Sequence, residues 1–173
     1  MKVRYPTPDG FDDLLLQSDG EVLTGVSFVR IDDEYDLVSQ KSIPAVLRDS
    51  CRWFDIYFSG RQPDFTPEFR LSNATPFRKE VLELLNAIPF GKTTTYGEIA
   101  ALIARNHGIA KMSAQAVGGA VGWNPIGIII PCHRVIGANG KLTGYGGGIK
   151  NKIALLQLEK SFYNTDGIFT FVT

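Results

Sequence analysis

The chain has 173 residues, 44% of them hydrophobic, which suffices for one compact domain or two small ones around an apolar core. Eighteen basic residues balance eighteen acidic ones, and a net charge of zero by itself argues against a nucleic-acid partner. No apolar run approaches the roughly 20 residues that span a bilayer, so no membrane association is expected.

The start of the chain lacks the charged segment and apolar core of a signal peptide. Two cysteines without framework spacing point to a reducing, cytoplasmic setting rather than a disulfide scaffold. Two Cys and two His scattered along the chain give no metal-ligand spacing, so neither a metal nor a cofactor is expected. The distribution of charge qualifies the zero balance. Residues 1–73 carry 8 Lys and Arg against 13 Asp and Glu, whereas residues 74–160 carry 10 against 4 and contain no Asp. A basic second half suits contact with an acidic partner.

In chain order, Leu14-Leu15-Leu16 and Val22 to Val29 flank the polar turn Ser18-Asp19-Gly20, which predicts a β-hairpin. Pro44 to Phe58 follows as a helix, with Leu47, Cys51, Phe54 and Phe58 on one face; Cys51 on that stripe reads as core packing. The polar, Pro-bearing stretch 59–74 divides the chain into domains at 1–73 and 74–173. Thr75-Pro76 opens the next helix as N-cap and first residue, Phe77, Val81, Leu84, Leu85 and Ile88 form its apolar stripe, and Pro89 ends it.

Gly91-Lys92-Thr93 is not a phosphate-binding loop, because Asn86 stands where that motif needs a glycine. Thr95-Tyr96-Gly97-Glu98 fits a capping box at the start of a third helix with Ile99, Leu102 and Ile103 inward. A fourth helix, Ser113 to Val121, is made of small residues. Gly118 and Gly119 each cost a helix roughly 1 kcal/mol relative to Ala, so close packing or close approach to a nucleic-acid backbone is expected there. Two short helices around a turn in the basic half form a candidate helix-turn-helix. Gly167 to Val172 reads as a strand of unassigned role.

Asn124-Pro125-Ile126-Gly127-Ile128-Ile129-Ile130-Pro131-Cys132-His133-Arg134-Val135 is the most informative stretch. A thiol becomes a useful nucleophile as its thiolate, and Cys132 has two cations as its next neighbours. A free cysteine also packs as a small inert hydrophobe. The Pro-Cys-His-Arg-Val frame, followed by the glycine-rich 137–148 segment, turns the reading toward chemistry.

This frame resembles the active-site signature of the O6-alkylguanine-DNA alkyltransferases, with similarity running from about Thr75 to Lys160 and, more loosely, through Ser18 to Glu21 and Leu23 to Gly25. The resemblance implies an α+β fold: an N-terminal α/β domain with a small antiparallel sheet, then a mostly helical, winged-helix-like DNA-binding domain. It implies a monomer that repairs double-stranded DNA carrying O6-alkylguanine, flipping the base out and moving its alkyl group onto Cys132 once per molecule. By the same resemblance, His133 serves as base through a water, Glu159 orients and charges the imidazole, and Asn124 braces the turn.

Tyr145, the Gly146 amide, Val135 and Gly127 would line the guanine pocket, with Gly127 leaving room for larger adducts. Tyr96, Ser113, Gln115, Ala116 and Gly118 would meet DNA. Gln115 departs from the family's Ala-Arg-Ala-Val-Gly, losing the guanidinium plane that wedges into the stack. Three rivals remain: a non-transferring lesion binder, which characteristically has tryptophan at the nucleophile position; a cysteine hydrolase using Cys132, His133 and Glu159; and a plain DNA-binding regulator with a structural cysteine.

Overall fold

Three strands open the chain in a computed structural model that describes residues 1–30, 33 and 43–160; the expected strand at 167–172 lies outside the described residues. They are β1 (Lys2–Tyr5), β2 (Leu14–Ser18) and β3 (Leu23–Phe28), antiparallel in the order β1-β2-β3. The hairpin turn is made by side chains. Asp19 Oδ1 accepts from the amides of Glu21 and Val22, both at 3.0 Å, and Ser18 Oγ accepts from Gly20 at 2.9 Å. Such turns hold the backbone without any tertiary contact. β1 was not expected: its four residues alternate exposed and buried, too short a pattern to stand out.

Leu14, Leu15 and Leu16 are all buried in the central strand. Helix α1 (Ala45–Phe58) packs on β2 and buries Leu47, Phe54 and Phe58 of the expected stripe. Its aromatic residues form a cluster in which Tyr5, Phe54 and Phe58 lie within 6.1 Å of one another by ring centroid. Cys51 is half-buried, and desolvation lifts its thiol to about 11, the behaviour of an inert packing residue.

The chain divides into two compact units, Met1–Asn73 with Pro125–Ile129, and Ala74–Asn124 with the residues from Ile130 onward. The return of 125–129 to the first unit is absent from the sequence-based division. There Val26 donates to the Pro125 carbonyl at 2.8 Å and Gly127 donates back to Val26 at 2.9 Å.

The second unit starts at α2 (Pro76–Asn86), where the Thr75 hydroxyl accepts from the Arg78 amide and Pro76 is the first residue, as expected. Next come β4 (Thr94–Thr95) and α3 (Tyr96–Asn106), with the complete Thr95/Glu98 capping box. Helix α4 (Ala114–Gly122), capped by Ser113, packs on both α2 and α3. A single 3-10 turn, Cys132–Arg134, leads into β5 (Val135–Ile136), and α5 (Ile149–Leu158) closes the unit against that turn. An antiparallel sheet with one helix in the first unit, and four helices with a short two-stranded pair in the second, make this an α+β fold.

Candidate active site

Backbone geometry places Cys132. Pro131 is followed by the 3-10 turn that carries Cys132, His133 and Arg134, all buried. The chain then extends as β5, which pairs in parallel with β4 in the register Thr94↔Val135 and Thr95↔Ile136. Thr95 is also the cap of α3, so two rungs of ladder connect the peptide after the nucleophile to the residue before Tyr96.

Burial raises the Cys132 thiol above its ordinary value, opposed by the Asn124 amide, the Lys152 charge and the backbone amides of Cys132 and His133. Asn124 divides its two amide hydrogens between the Ile130 carbonyl at 2.8 Å and the Cys132 sulfur at 3.2 Å. Asn124 therefore contacts the Cys132 sulfur as well as the Ile130 carbonyl. The two residues next in sequence, His133 and Arg134, both reach Glu159.

Glu159 is enclosed by donors. His133 Nε2 lies 2.8 Å from Oε1, and Arg134 reaches Oε2 through Nε at 2.8 Å and Oε1 through Nη2 at 2.9 Å. The Gly91 amide adds a further bond to Oε2 at 3.1 Å. His133 and Arg134 together hold Glu159 far below the usual carboxylate range, against the opposing pull of burial. A carboxylate only accepts, so the His133 Nε2–H donates to Glu159. Burial, helped by Arg134 and Lys152, pushes the imidazole pKa below its ordinary 6.5 and outweighs Glu159. Glu159 thus holds the imidazole through one oxygen while Arg134 bonds both.

Tyr145 is in reach of the sulfur, and burial with the nearby Cys132 and Glu159 keeps its phenol protonated. Tyr96, at the first position of α3, is half-buried and shares a hydrogen bond with the Thr143 side chain. Val135 is fully buried and its carbonyl accepts from Lys152 Nζ at 2.6 Å. Gly146 is exposed, with open space where a side chain would project. A Cβ at Gly127 would meet the Val26 carbonyl oxygen at 2.9 Å, so close backbone pairing accounts for a glycine there.

On α4, Ser113 caps, with its hydroxyl accepting from Ala116 at 3.2 Å, and Gln115 and Ala116 are exposed. Gly118 faces the Tyr96 ring at 3.8 Å, an ordinary contact distance, whereas Gly119 is exposed beside open space. Gly118 has its packing partner; nothing in the described residues accounts for Gly119.

The sequence marks Arg134 only as a cation beside Cys132 and Gly91 only within a rejected phosphate-loop segment, and it does not single out Lys152. Lys152 had a legible signal, a lysine at i of the stripe Leu155, Leu156 and Glu159 on α5. Gly91 had none beyond its turn.

Residues 76–161 match the family model of the 6-O-methylguanine DNA methyltransferase, DNA binding domain. The methylated-DNA–protein-cysteine methyltransferase of Mycobacterium tuberculosis is 43% identical over 160 residues, 92% of this chain and 93% of its own. That of Haemophilus influenzae is 39% identical over 167 residues, 94% and 88% of the two chains. The crystal structure of Mycobacterium tuberculosis OGT in complex with DNA superposes with a TM-score of 0.69 at 40% identity, covering 92% of this chain and 91% of that one. With relatives this similar over nearly its whole length, the chain belongs to the methylated-DNA–protein-cysteine methyltransferase family.

Proposed function

We propose that this protein repairs duplex DNA by moving the alkyl group of O6-alkylguanine onto its own Cys132. The observation that carries the reading is the buried Cys132 sulfur held by the Asn124 amide, next in sequence to a His133 ring held on Glu159. A neutral imidazole with its lone pair on Nδ1 is a base; an imidazolium is not.

The thiol proton passes to His133, through a water as the family resemblance implies. The sulfur attacks the alkyl carbon, an S–C bond forms, the C–O6 bond breaks and the electron pair leaves on guanine. The proton taken from the thiol returns to the guanine, whose developing charge is met by the Tyr145 phenol and the Gly146 amide. A thioether is not a leaving group, so each molecule reacts once.

Access to the base requires extrusion from the stack, at a cost of a few kcal/mol. Helix α4 would grip the duplex through Ser113, Gln115, Ala116 and Gly118, with Tyr96 acting on the backbone of the flipped nucleotide. The protein acts as a monomer, and a reducing cytoplasm keeps its acceptor thiol usable.

Intact-protein mass spectrometry after mixing with a duplex containing one O6-methylguanine tests the reading. One added methyl group mapped to Cys132, and absent from Cys132→Ala, is the expected result. Tight binding to the lesion without added mass would instead identify a non-transferring recognition protein.

A further inference from the structure

Helix α3 ends in a motif that turns the chain back along its own flank. Gly108, at φ +63°, takes the left-handed conformation after the His107 cap. Its amide donates to the Arg105 carbonyl at 3.2 Å, and that of Ile109 donates to the Ala104 carbonyl at 3.0 Å. This is the bond pair of a Schellman ending, which returns the residue after the glycine to the side of the last helical turn. His107 Nε2 lies 2.8 Å from Glu80 Oε1 on α2, so the ending is held to a second helix as well.

Beside this ending lies a cavity of about 450 Å³. Gly97, Ala100, Ala101 and Ala104 line it from the i, i+3, i+4 and i+7 positions of one α3 face, and none carries more than a methyl group. Ile109 and Met112, from the loop that follows, add larger apolar surface, and Ile109 is left 45% exposed. Arg105 and Lys111 also line the cavity. Both are exposed, and neither has an ion pair or a side-chain hydrogen bond among the described residues. No Asp or Glu occurs between Glu98 and Glu159 to offset them in sequence.

We propose that this cavity docks an acidic peptide segment of a partner protein, which inserts one large apolar side chain against Ala100, Ala104 and Ile109 and sets its carboxylates on Arg105 and Lys111. Concave apolar surface with a few placed charges is the pattern of a site that takes a ligand by insertion, and the volume is of that class. The inserted side chain supplies affinity, and the two cations supply orientation and selection for acidic segments. Duplex phosphates would pair with the cations but leave the apolar trough unfilled, because phosphate contacts are made by charged and polar groups. The trough shares no residue with the cluster around Cys132, so the segment binds whether the thiol is free or alkylated.

Fluorescence anisotropy tests this with the full chain and a short fluorescein-labelled peptide in which aspartates flank one phenylalanine; a second peptide has leucine at the centre. Saturable binding of at least one is expected, weakened by about tenfold or more when glycine replaces its central residue. Ala101→Glu puts a carboxylate on the exposed side of the trough and should weaken binding by about tenfold or more, with thermal melting unchanged. Should that variant melt early, the double variant Arg105→Gln with Lys111→Gln carries the test, since both side chains are exposed and unpaired. It should weaken binding about three- to tenfold and flatten its salt dependence.

Failure of both peptides to bind wild-type protein overturns the proposal, as does binding that a folded Ala101→Glu leaves unchanged. Loss of duplex affinity in the double variant with peptide binding untouched would assign the two cations to DNA phosphates, and overturns it too. Methyl transfer from an O6-methylguanine duplex is read separately: its absence in wild type overturns the alkyl-acceptor reading and leaves the peptide result standing.

Discussion

Arg134 and Glu159 are joined by two parallel hydrogen bonds, at 2.8 Å and 2.9 Å, with the carboxylate fully shielded from water. Only the planar guanidinium presents that fork, and its third arm bonds the Ile88 carbonyl at 2.6 Å. Arg134→Ala leaves a buried carboxylate without its balancing charge, and should cost about 3–5 kcal/mol in urea unfolding. Arg134→Lys should recover part of the stability but not the fork, leaving the His133 ring less well oriented and methyl transfer slower. Equal transfer rates in Arg134→Lys and wild type would mean that the fork serves folding alone.

Acid should weaken the fold in two stages. The folded imidazole of His133 has a depressed pKa, so its stabilising contribution is complete above the ordinary 6.5 and declines as pH falls below it. The depressed Glu159 carboxyl contributes fully above its ordinary 4.5 and is lost only as pH falls toward its folded value. Urea unfolding at about pH 7 and about pH 5.5 should therefore show a loss that His133→Gln removes. A loss of the same size in His133→Gln would place the first stage elsewhere.

Asn124→Ala removes a donor from the sulfur and from the Ile130 carbonyl. Hydrogen bonds to charged groups contribute about 1.5–3 kcal/mol, so single-turnover methyl transfer near neutral pH should fall about ten- to a hundredfold. Asn124→Asp adds a negative charge beside a developing thiolate and should fall further than the alanine variant. Rapid-quench kinetics on the two variants checks the order.

Much of this site was legible because its residues are local. Thr75-Pro76 and the Thr95/Glu98 box form from neighbours in sequence, and both occur as expected. The hairpin turn at Asp19 is likewise formed by its neighbours, with Arg70 adding a bond to Asp19 Oδ2 at 2.6 Å. What sequence could not give is direction across long separations. Arg134 stands next but one to Cys132 yet turns to a carboxylate 25 residues away. Gly127 belongs to the conspicuous motif, but its need is set by the Val26 carbonyl. Lys152 reads as one more surface lysine until its helix face is known to be buried.

Gly91 is a sharper case of the same kind. Its φ is +76°, and an added Cβ would stand 2.7 Å from the Glu159 backbone oxygen. Gly91→Ala should therefore cost about 1–3 kcal/mol and displace the Glu159 end of the hydrogen-bond chain. Thermal melting together with the transfer rate checks it: both should decline. Retained melting with retained activity would mean that the turn yields without strain.

Gln115 is exposed in the first turn of α4. Gln115→Arg should tighten binding to duplex containing O6-methylguanine, more so than to undamaged duplex, if the side chain fills the vacated stack. A phosphate contact would instead strengthen both equally and steepen the salt dependence by about one counterion. Fluorescence anisotropy at several salt concentrations separates the two, and unchanged or weaker affinity counts against a wedge role.

The two-rung ladder between Thr94-Thr95 and Val135-Ile136 has a consequence for how such a protein changes over time. Backbone bonds, rather than interchangeable side chains, determine how far Tyr96 stands from Cys132. A slip of one residue would turn every side chain in the pairing to the opposite face. The outer surface of the helix pair is therefore free to drift toward other duplex shapes or sequence contexts, while the spacing at the sulfur stays constant. Recognition and chemistry are inherited as separable traits, and a substitution on the outer face of α4, Gln115→Arg included, leaves the spacing at the sulfur undisturbed.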